Sequence, residues 1–400
     1  MKILVMAQSL TGGGAERVAS LWIRGFVEQQ HKVGLVMYHR PNSKETYPIP
    51  DGVARYYIGN WLAHKLHRRC YIDTYFVRKL REIVLDFRPD LIIGVLHPWA
   101  EWARKATKGM GILIINTEHN AFERPADFPL SKRERRRKYV WNKRYDHVTV
   151  LNEADKACVE GVLLNVSVLP NPLAFQPASL IPEKQNIILA AGRLSVWASK
   201  GFDILIAAWG QVAPKHKEWC LQIAGTGKEK DKEAIMEMIE YAGVLRQTTL
   251  LGYVEDMLPI YQRSAVFALS SRYEGFGMVL IEAMSQGCAC VACDYKGRQK
   301  EIITNDNEGI ICPTEDVESL ANALERLITD ETFRQKLQQG AISRSHYYSL
   351  DNTMKRWDTI LSEKVLVKNR PLGGGKIVRQ SVVPHFSQAN KLWLVRRRCA

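Results

Sequence analysis

The stretch Ser270–Cys293, SSRYEGFGMVLIEAMSQGCACVAC, decides the fold class. Ala265 to Leu269, just before it, is a short apolar strand, and Arg272 to Gly277 is a loop with two glycines. Met278 to Gln286 has helical periodicity, Gly287 is a helix stop, and CACVAC is a buried strand. Strand, loop, helix and strand in that order point to an α/β protein. Two carboxylates lie eight positions apart, Glu274 in the loop and Glu282 about one turn into the helix. The glycines before the helix leave its first backbone N–H groups free to meet an anion. Carboxylates that grip hydroxyls, beside a phosphate cradle, suit a nucleotide sugar. A pair of glutamates at that spacing is ordinary on a solvated surface; the composite E-G-F-G-M-V-L-I-E-A-M-S-Q-G-C is far more specific.

That composite resembles the signature of the retaining GT-B glycosyltransferases, the large family-4 (group 1) type with two Rossmann-like domains facing across a cleft. The family includes bacterial mannosyl-, glucosyl- and N-acetylhexosaminyltransferases. The resemblance implies that Glu274 contacts the transferred sugar and that Glu282 binds the ribose hydroxyls. It also implies phosphate and sugar contacts from the backbone at Phe276, Gly277, Met278 and Val279.

The bulk numbers fit. Four hundred residues leave room for two domains, 46% hydrophobic content with no low-complexity block indicates a globular chain, and the net charge is +14. Such a charge favours an anionic partner: nucleic acid, a phosphorylated substrate or an anionic membrane. No apolar run reaches the ~18 residues needed to span a bilayer. Met1–Leu10 leads into a glycine loop and reads as a first strand, not a signal peptide. The eight cysteines are scattered or gathered on one strand, which points to a reduced, cytoplasmic protein.

From the N-terminus, Lys2 to Ala7 reads as a buried parallel strand, followed by Thr11-Gly12-Gly13-Gly14 and a helix from Ala15 to Gln29. This begins a Rossmann-like domain. The loop lacks the G-x-G-x-x-G spacing of dinucleotide binders, and a plain tight turn is its simplest reading. G-G-A-E-R nevertheless resembles the family's glycine loop, which implies donor contacts at Gly13 and Gly14. Strands follow at Val33 to Met37, Asp51 to Tyr57, Asp90 to Leu96 and Ile112 to Asn116, with a helix from Ile72 to Phe87. The strand at Ile112 to Asn116 ends in Thr117-Glu118-His119-Asn120, where ligands bind in open α/β sheets. A histidine there is often only surface or satisfied core; E-H-N resembles the family's active-site histidine, which gives His119 a catalytic role.

Ser131 to Arg144, SKRERRRKYVWNKR, holds eight basic residues against one acidic. It reads as a solvated helix face, as a membrane-surface helix with Tyr139 and Trp141 at headgroup level, or as a nucleic-acid patch without a recognition motif. Val148 to Leu151 and Val166 to Leu169 close the first domain, taken as 1–170, and a proline-rich linker covers 171–185.

The second domain, 186–345, opens with strand Ile187 to Ala191, then Gly192-Arg193-Leu194, Lys200-Gly201 and helix Phe202 to Val212. Two fixed cations at a sheet edge suit a diphosphate leaving group. G-R-L followed by K-G-F-D resembles the family's diphosphate clamp, which implies catalytic roles for Arg193 and Lys200; here Val196-Trp197-Ala198 adds an extra turn between them. Strand Cys220 to Ala224 leads to Gly225-Thr226-Gly227; Gly227 is a donor-binding candidate, and the family commonly has an acidic residue where Thr226 stands. Cys288, Cys290 and Cys293 read as small buried hydrophobes rather than zinc ligands. A C-terminal helix in 346–370 is expected to cross back to the first domain, before a basic tail, 371–400, without an acidic residue.

The resemblance, over residues 1–365, implies transfer of a hexose or N-acetylhexosamine from a nucleotide diphosphate sugar, most simply a UDP-sugar, with retention. It implies no metal, and no D-x-D is present to hold one. The N-terminal motifs look closest to N-acetylgalactosaminyltransferases of lipid-linked glycans and exopolysaccharides. The acceptor would then be a glycan or a polyprenyl-diphosphate-linked glycan at the anionic inner face of the plasma membrane, with no nucleic-acid partner. A nucleotide-sugar 2-epimerase on the same fold, or a non-catalytic membrane or nucleic-acid adaptor, is the alternative.

Overall fold

A computed structural model describes residues 1–10, 12–38, 46–70 and 72–368. Thr11 of the glycine loop and the basic tail 371–400 lie outside the described residues. The first half builds a seven-stranded sheet from β1 (Lys2–Met6), β2 (Lys32–Met37), β3 (Ala54–Tyr57), β4 (Leu91–Val95), β5 (Leu113–Thr117), β6 (His147–Val150) and β7 (Val166–Val168). Their order in space is β3-β2-β1-β4-β5-β6-β7, and every neighbouring pair is parallel. β1, β4 and β5 read ILVM, LIIGV and LIINT without alternation, because helices cover both faces of a parallel sheet.

The second half repeats the plan with six strands: β8 (Gln185–Ala191), β9 (Cys220–Ala224), β10 (Thr248–Gly252), β11 (Ser264–Leu269), β12 (Ala289–Asp294) and β13 (Ile310–Pro313). They lie in the order β10-β9-β8-β11-β12-β13, again all parallel. Helix Phe202–Val212 packs Phe202 and Trp209 onto this sheet with helix Val317–Thr329. Cys288, Cys290 and Cys293 are buried in and beside β12, as small apolar residues would be.

Both sheets belong to one compact unit, Met1–Thr359; Ile360–Ala400 forms a second, of which the helix is described to Lys368. Within the first unit polar contacts, one of them fully buried, join the halves. Arg298 Nη2 meets Asp155 Oδ1 at 2.6 Å, with side chains 0% and 1% exposed. The Glu301 carboxylate accepts the backbone N–H groups of Glu153 and Ala154 at 2.8 and 2.9 Å. Within the first unit, Trp357 on the early turns of helix Leu350–Lys368 reaches the first half, edge-on against Trp22 with centroids 5.2 Å apart and against Phe26.

The basic stretch Ser131–Arg144 departs from the outward-facing helix expected of it. It begins as helix Lys132–Arg136 with a Ser131–Glu134 capping box, widens to a π-turn over Arg137–Trp141 and tightens to a 3₁₀ turn at Asn142–Arg144. Lys138 and Asn142 are buried, and Tyr139 donates to the Phe122 carbonyl at 3.2 Å. Trp141 turns in against His97 at 4.8 Å. Tyr139 and Trp141, both part-buried, are thus engaged with Phe122 and His97 and do not form a free outward headgroup-level face. Exposed apolar side chains lie beside positive charge on helix Trp61–Cys70, where Trp61 is 72% and Leu62 58% exposed. Among the described residues no helix is long and apolar enough to cross a membrane.

Candidate functional site

Gly13 opens helix Gly14–Glu28 at φ +109°, a conformation that favours glycine. A methyl on Gly14 would lie 3.7 Å from Met278 Cγ, so the glycine loop faces the start of helix Met278–Ser285. Two helix N-termini with unsatisfied N–H groups thus meet, one from each sheet. Gly277, at φ +96°, starts the second helix. Phe276 anchors this loop from inside, 6% exposed and edge-on to Tyr348. Met278 and Val279 are half-buried on the first turn.

Glu274 sits in the loop between β11 and that helix. Lys200 Nζ pairs with its Oε1 at 2.6 Å, and the Ser271 hydroxyl donates to the same oxygen at 2.7 Å. The extra turn between Arg193 and Lys200 is a 3₁₀ turn, Leu194–Val196, followed by a short helix, Trp197–Lys200. Arg272 braces it, reaching the Ala198 carbonyl while gripping Asp203 with two bonds of 2.8 Å. The insertion therefore returns Lys200 to the site instead of displacing it. Arg193 is exposed at the end of β8, and Gly227 packs its backbone on Leu194 and Ser195 just beyond.

The loop also touches the first half. A methyl on Gly275 would come within 2.8 Å of the His119 carbonyl oxygen, and Asn152 Nδ2 donates to the Gly275 carbonyl at 3.0 Å. The His119 ring leans on Trp22 and shares a 2.9 Å hydrogen bond between Nε2 and Thr117 Oγ1. Enclosure pushes its pKa down to about 4, although the Glu118 charge and the nearby Asn171 amide act the other way; no aligned bond to Nδ1 forms. His119 is therefore neutral near pH 7. Glu118, beneath it, is pushed up by burial, but Lys138 at 3.0 Å and Asn142 at 2.9 Å outweigh that and hold it below the usual range.

Glu282, on helix Met278–Ser285, has both oxygens engaged. Arg17 Nη1 donates to Oε1 at 2.8 Å and the Tyr261 hydroxyl to Oε2 at 3.0 Å. Its side chain is 3% exposed. Burial raises the carboxyl, and Arg17 and Tyr261 pull it back in part. The structure thus gathers Gly13, Gly14, His119, Lys200, Glu274 and the Phe276–Glu282 segment, with Arg193 and Gly227 at the margin. Sequence reasoning missed Arg17 and Tyr261. Arg17 ends the G-G-A-E-R motif one helical turn from Gly14, a spacing that signals it; Tyr261 left no such mark.

A separate cavity of about 630 Å³ opens at the end of β4 and excludes Glu274, Lys200 and Glu282. His97, Trp102 and Trp141 line it together with Arg104, Arg136 and Arg144. Burial, then the charges of Arg137 and Arg133, push His97 down to about 2. Glu101, held by two bonds from Arg104 at 3.0 and 2.8 Å, only partly offsets the positive charge. Among the described residues no group of three His, Cys, Asp or Glu side chains is placed to hold a metal ion.

Comparison with known proteins gives this geometry a family. The model described as Glycosyltransferase Family 4 matches residues 12–173, and that described as Glycosyl transferases group 1 matches residues 174–344. The chain is 26% identical, over 92% of its length and 99% of the relative's, to a Campylobacter jejuni enzyme. That enzyme is named GalNAc-α-(1→4)-GalNAc-α-(1→3)-diNAcBac-PP-undecaprenol α-1,4-N-acetyl-D-galactosaminyltransferase. It is 27% identical, over 90% of its length and 99% of the relative's, to the amylovoran biosynthesis glycosyltransferase AmsD of Erwinia amylovora. HepE of Anabaena, solved with UDP and glucose, shares the fold with a TM-score of 0.74 at 19% identity, over 91% of this chain and all of that one. The matches run in series along the two sheets, and the chain belongs to the group 1, family 4 glycosyltransferases of GT-B fold.

Proposed function

We propose that this enzyme transfers a hexose or N-acetylhexosamine from a UDP-sugar to a glycan or polyprenyl-diphosphate-linked acceptor, with retention, in surface polysaccharide or glycan assembly. The observation that carries this reading is the Lys200–Glu274 pair, 2.6 Å apart, set beside the helix whose start faces the glycine loop. The diphosphate lies against the two helix N-termini, with Arg193 and Lys200 neutralising charge as the glycosyl bond breaks. This needs no metal, because the cations take that role. Glu274 holds the sugar hydroxyls, Glu282 the ribose. His119, neutral near pH 7, supplies a hydrogen bond rather than a charge to the sugar. No carboxylate is assigned as a nucleophile, so the acceptor attacks from the leaving-group face and passes its proton to the departing diphosphate.

The acceptor's anionic part occupies the cavity of Arg104, Arg136 and Arg144, which favours a phosphorylated carrier over a neutral glycan. Helix Trp61–Cys70, with Trp61, Leu62 and Leu66 exposed beside Lys65 and Arg69, brings the enzyme to the anionic cytoplasmic face of the plasma membrane. Relatives that act on undecaprenol-linked glycans support this choice of carrier.

The test is turnover of UDP-sugars with a synthetic prenyl-diphosphate glycan, followed by proton NMR of the new linkage. An axial sugar carried from an α-linked donor supports retention, and an inverted linkage refutes it. Sugar isomerisation with release of UDP and no need for acceptor identifies the 2-epimerase instead. Glu274→Gln should remove turnover while the chain still binds UDP.

A further inference from the structure

Arg17 belongs to the first half, yet its guanidinium ends on a carboxylate of the second. Its Nη1 donates to Glu282 Oε1 at 2.8 Å across the cleft. Phe175 and Tyr47 hold the guanidinium from the sides, 5.1 and 5.5 Å from their ring centroids. Glu282 is 3% exposed, and an isolated carboxylate at such depth carries a large desolvation cost.

The groups around it offer no other compensating charge. Tyr261 donates its hydroxyl to Oε2, and burial pushes both Tyr261 and Tyr47 up, so each is a neutral phenol. Tyr253, near Tyr47, is exposed. Burial pushes the Cys288 thiol up to about 11. Glu16, beside Arg17, accepts from Ser9 and is itself raised by burial. Lys184 directs its ammonium to the Tyr261 and Gln286 carbonyls at 3.1 and 2.8 Å. Among the described residues, Arg17 is the one cation paired with Glu282.

We propose that Arg17 is a positioning residue for the nucleotide: it keeps Glu282 ionised, and so able to accept both ribose hydroxyls, only while the two halves are closed on each other. This rests on the donor reading above. Each carboxylate oxygen keeps a second lone pair after accepting from Arg17 or Tyr261, and a ribose hydroxyl can use it. When the cleft opens, Arg17 leaves with the first sheet, and Glu282, still enclosed on its own helix, takes a proton from water. A protonated carboxyl accepts one hydroxyl less. Closing returns the proton, so nucleotide affinity, closure and one proton are linked.

The experiment is calorimetric titration of UDP into the full chain between about pH 5 and pH 9, a range that brackets ordinary and raised carboxyl values. The unsubstituted protein should bind with an affinity that is flat at neutral pH and weakens only in acid. In Arg17→Met the Glu282 carboxyl titrates higher. Affinity should then fall by about tenfold per pH unit below that raised value and rejoin the unsubstituted protein at the alkaline end. Arg17→Lys should restore the flat profile. Arg17→Gln should repeat the Arg17→Met result, which covers a failure of that variant to fold. In Arg17→Met/Glu282→Gln the extra pH dependence should vanish, leaving only that of the UDP phosphate, which all variants share. A loss of the same factor at every pH would overturn the proposal, since a lost phosphate contact or a distorted loop behaves that way. So would an extra pH dependence, beyond that of the unsubstituted protein, that survives in the double variant. If the unsubstituted protein binds no nucleoside diphosphate at any pH, the donor reading itself fails, a result distinct from either.

Discussion

Removing Arg298 tests whether the two halves are held by a buried charge pair. Arg298 and Asp155 are 143 positions apart, 0% and 1% exposed, and 2.6 Å from each other. The substitution Arg298→Met keeps apolar volume and deletes the positive charge. Asp155 then keeps only the Phe122 backbone N–H, 3.0 Å from Oδ1, as a donor to that oxygen. A carboxylate stranded at that depth costs about 3–5 kcal/mol, whereas replacing both members of such a pair is often close to neutral. The expected order of stability is therefore unsubstituted protein, then Arg298→Met/Asp155→Asn slightly below it, then Arg298→Met well below both. Urea unfolding followed by tryptophan fluorescence reads this as a shift in midpoint, with the slope checked for constancy. Because the pair joins the halves and not the core of either, the single variant should also show two separated transitions where the parent shows one. A loss under ~1 kcal/mol in Arg298→Met, of the size of an exposed pair, would refute the reasoning. So would a double variant no better than the single.

Three further outcomes follow from the geometry. Gly275→Ala places a methyl 2.8 Å from the His119 carbonyl oxygen, and backbone cannot yield as a flexible side chain would. Turnover should drop by an order of magnitude or more, while UDP affinity in calorimetry changes little, since about 1–3 kcal/mol of overpacking falls on closure. His97 and His119 are pushed below the usual imidazole value, to about 2 and about 4, so the unfolded chain binds more protons than the folded one below about pH 6.5. Stability should therefore decline as pH falls through that window, and His97→Asn should flatten the slope in melting temperatures measured from pH 7 to pH 4. Trp61→Ser with Leu62→Ser should cut sedimentation with anionic liposomes without changing UDP affinity. Arg135→Glu with Arg136→Glu should weaken the same sedimentation, by about 1 kcal/mol per charge at low salt.

The part of the candidate site on the second sheet was legible because its residues are packed into short segments. Glu274, Gly277 and Glu282 fall within one loop and one helix, so their spacing alone reports their placement. The glycine loop was readable for the same reason: Gly13 adopts φ +109°, which few residues other than glycine do, and Gly14 beside it approaches Met278. What stayed hidden is what pairs across long stretches of chain. Arg17 and Glu282 are 265 positions apart, and nothing in either segment encodes the other.

The basic stretch Ser131–Arg144 shows what charge counting leaves out. Eight cations in a row look like a surface, but a helix presents successive residues to every side, and one buried anion is enough to reorganise the segment. Glu118 lies at the end of β5 with Asn116 and Asn142 on one oxygen and Lys138 on the other. Lys138 and Asn142, four positions apart and so on one face of the segment, both reach this carboxylate, and the segment runs as a π-turn through Arg137–Trp141. Within it Tyr139 meets the Phe122 carbonyl and Trp141 meets His97. The remaining cations, Arg136 and Arg144 among them, then line a cavity next to the strand that carries His119. Part of a run that reads as continuous surface thus becomes the wall of a cavity, while Lys138 turns inward, because a buried Glu118 without a counter-charge is costly.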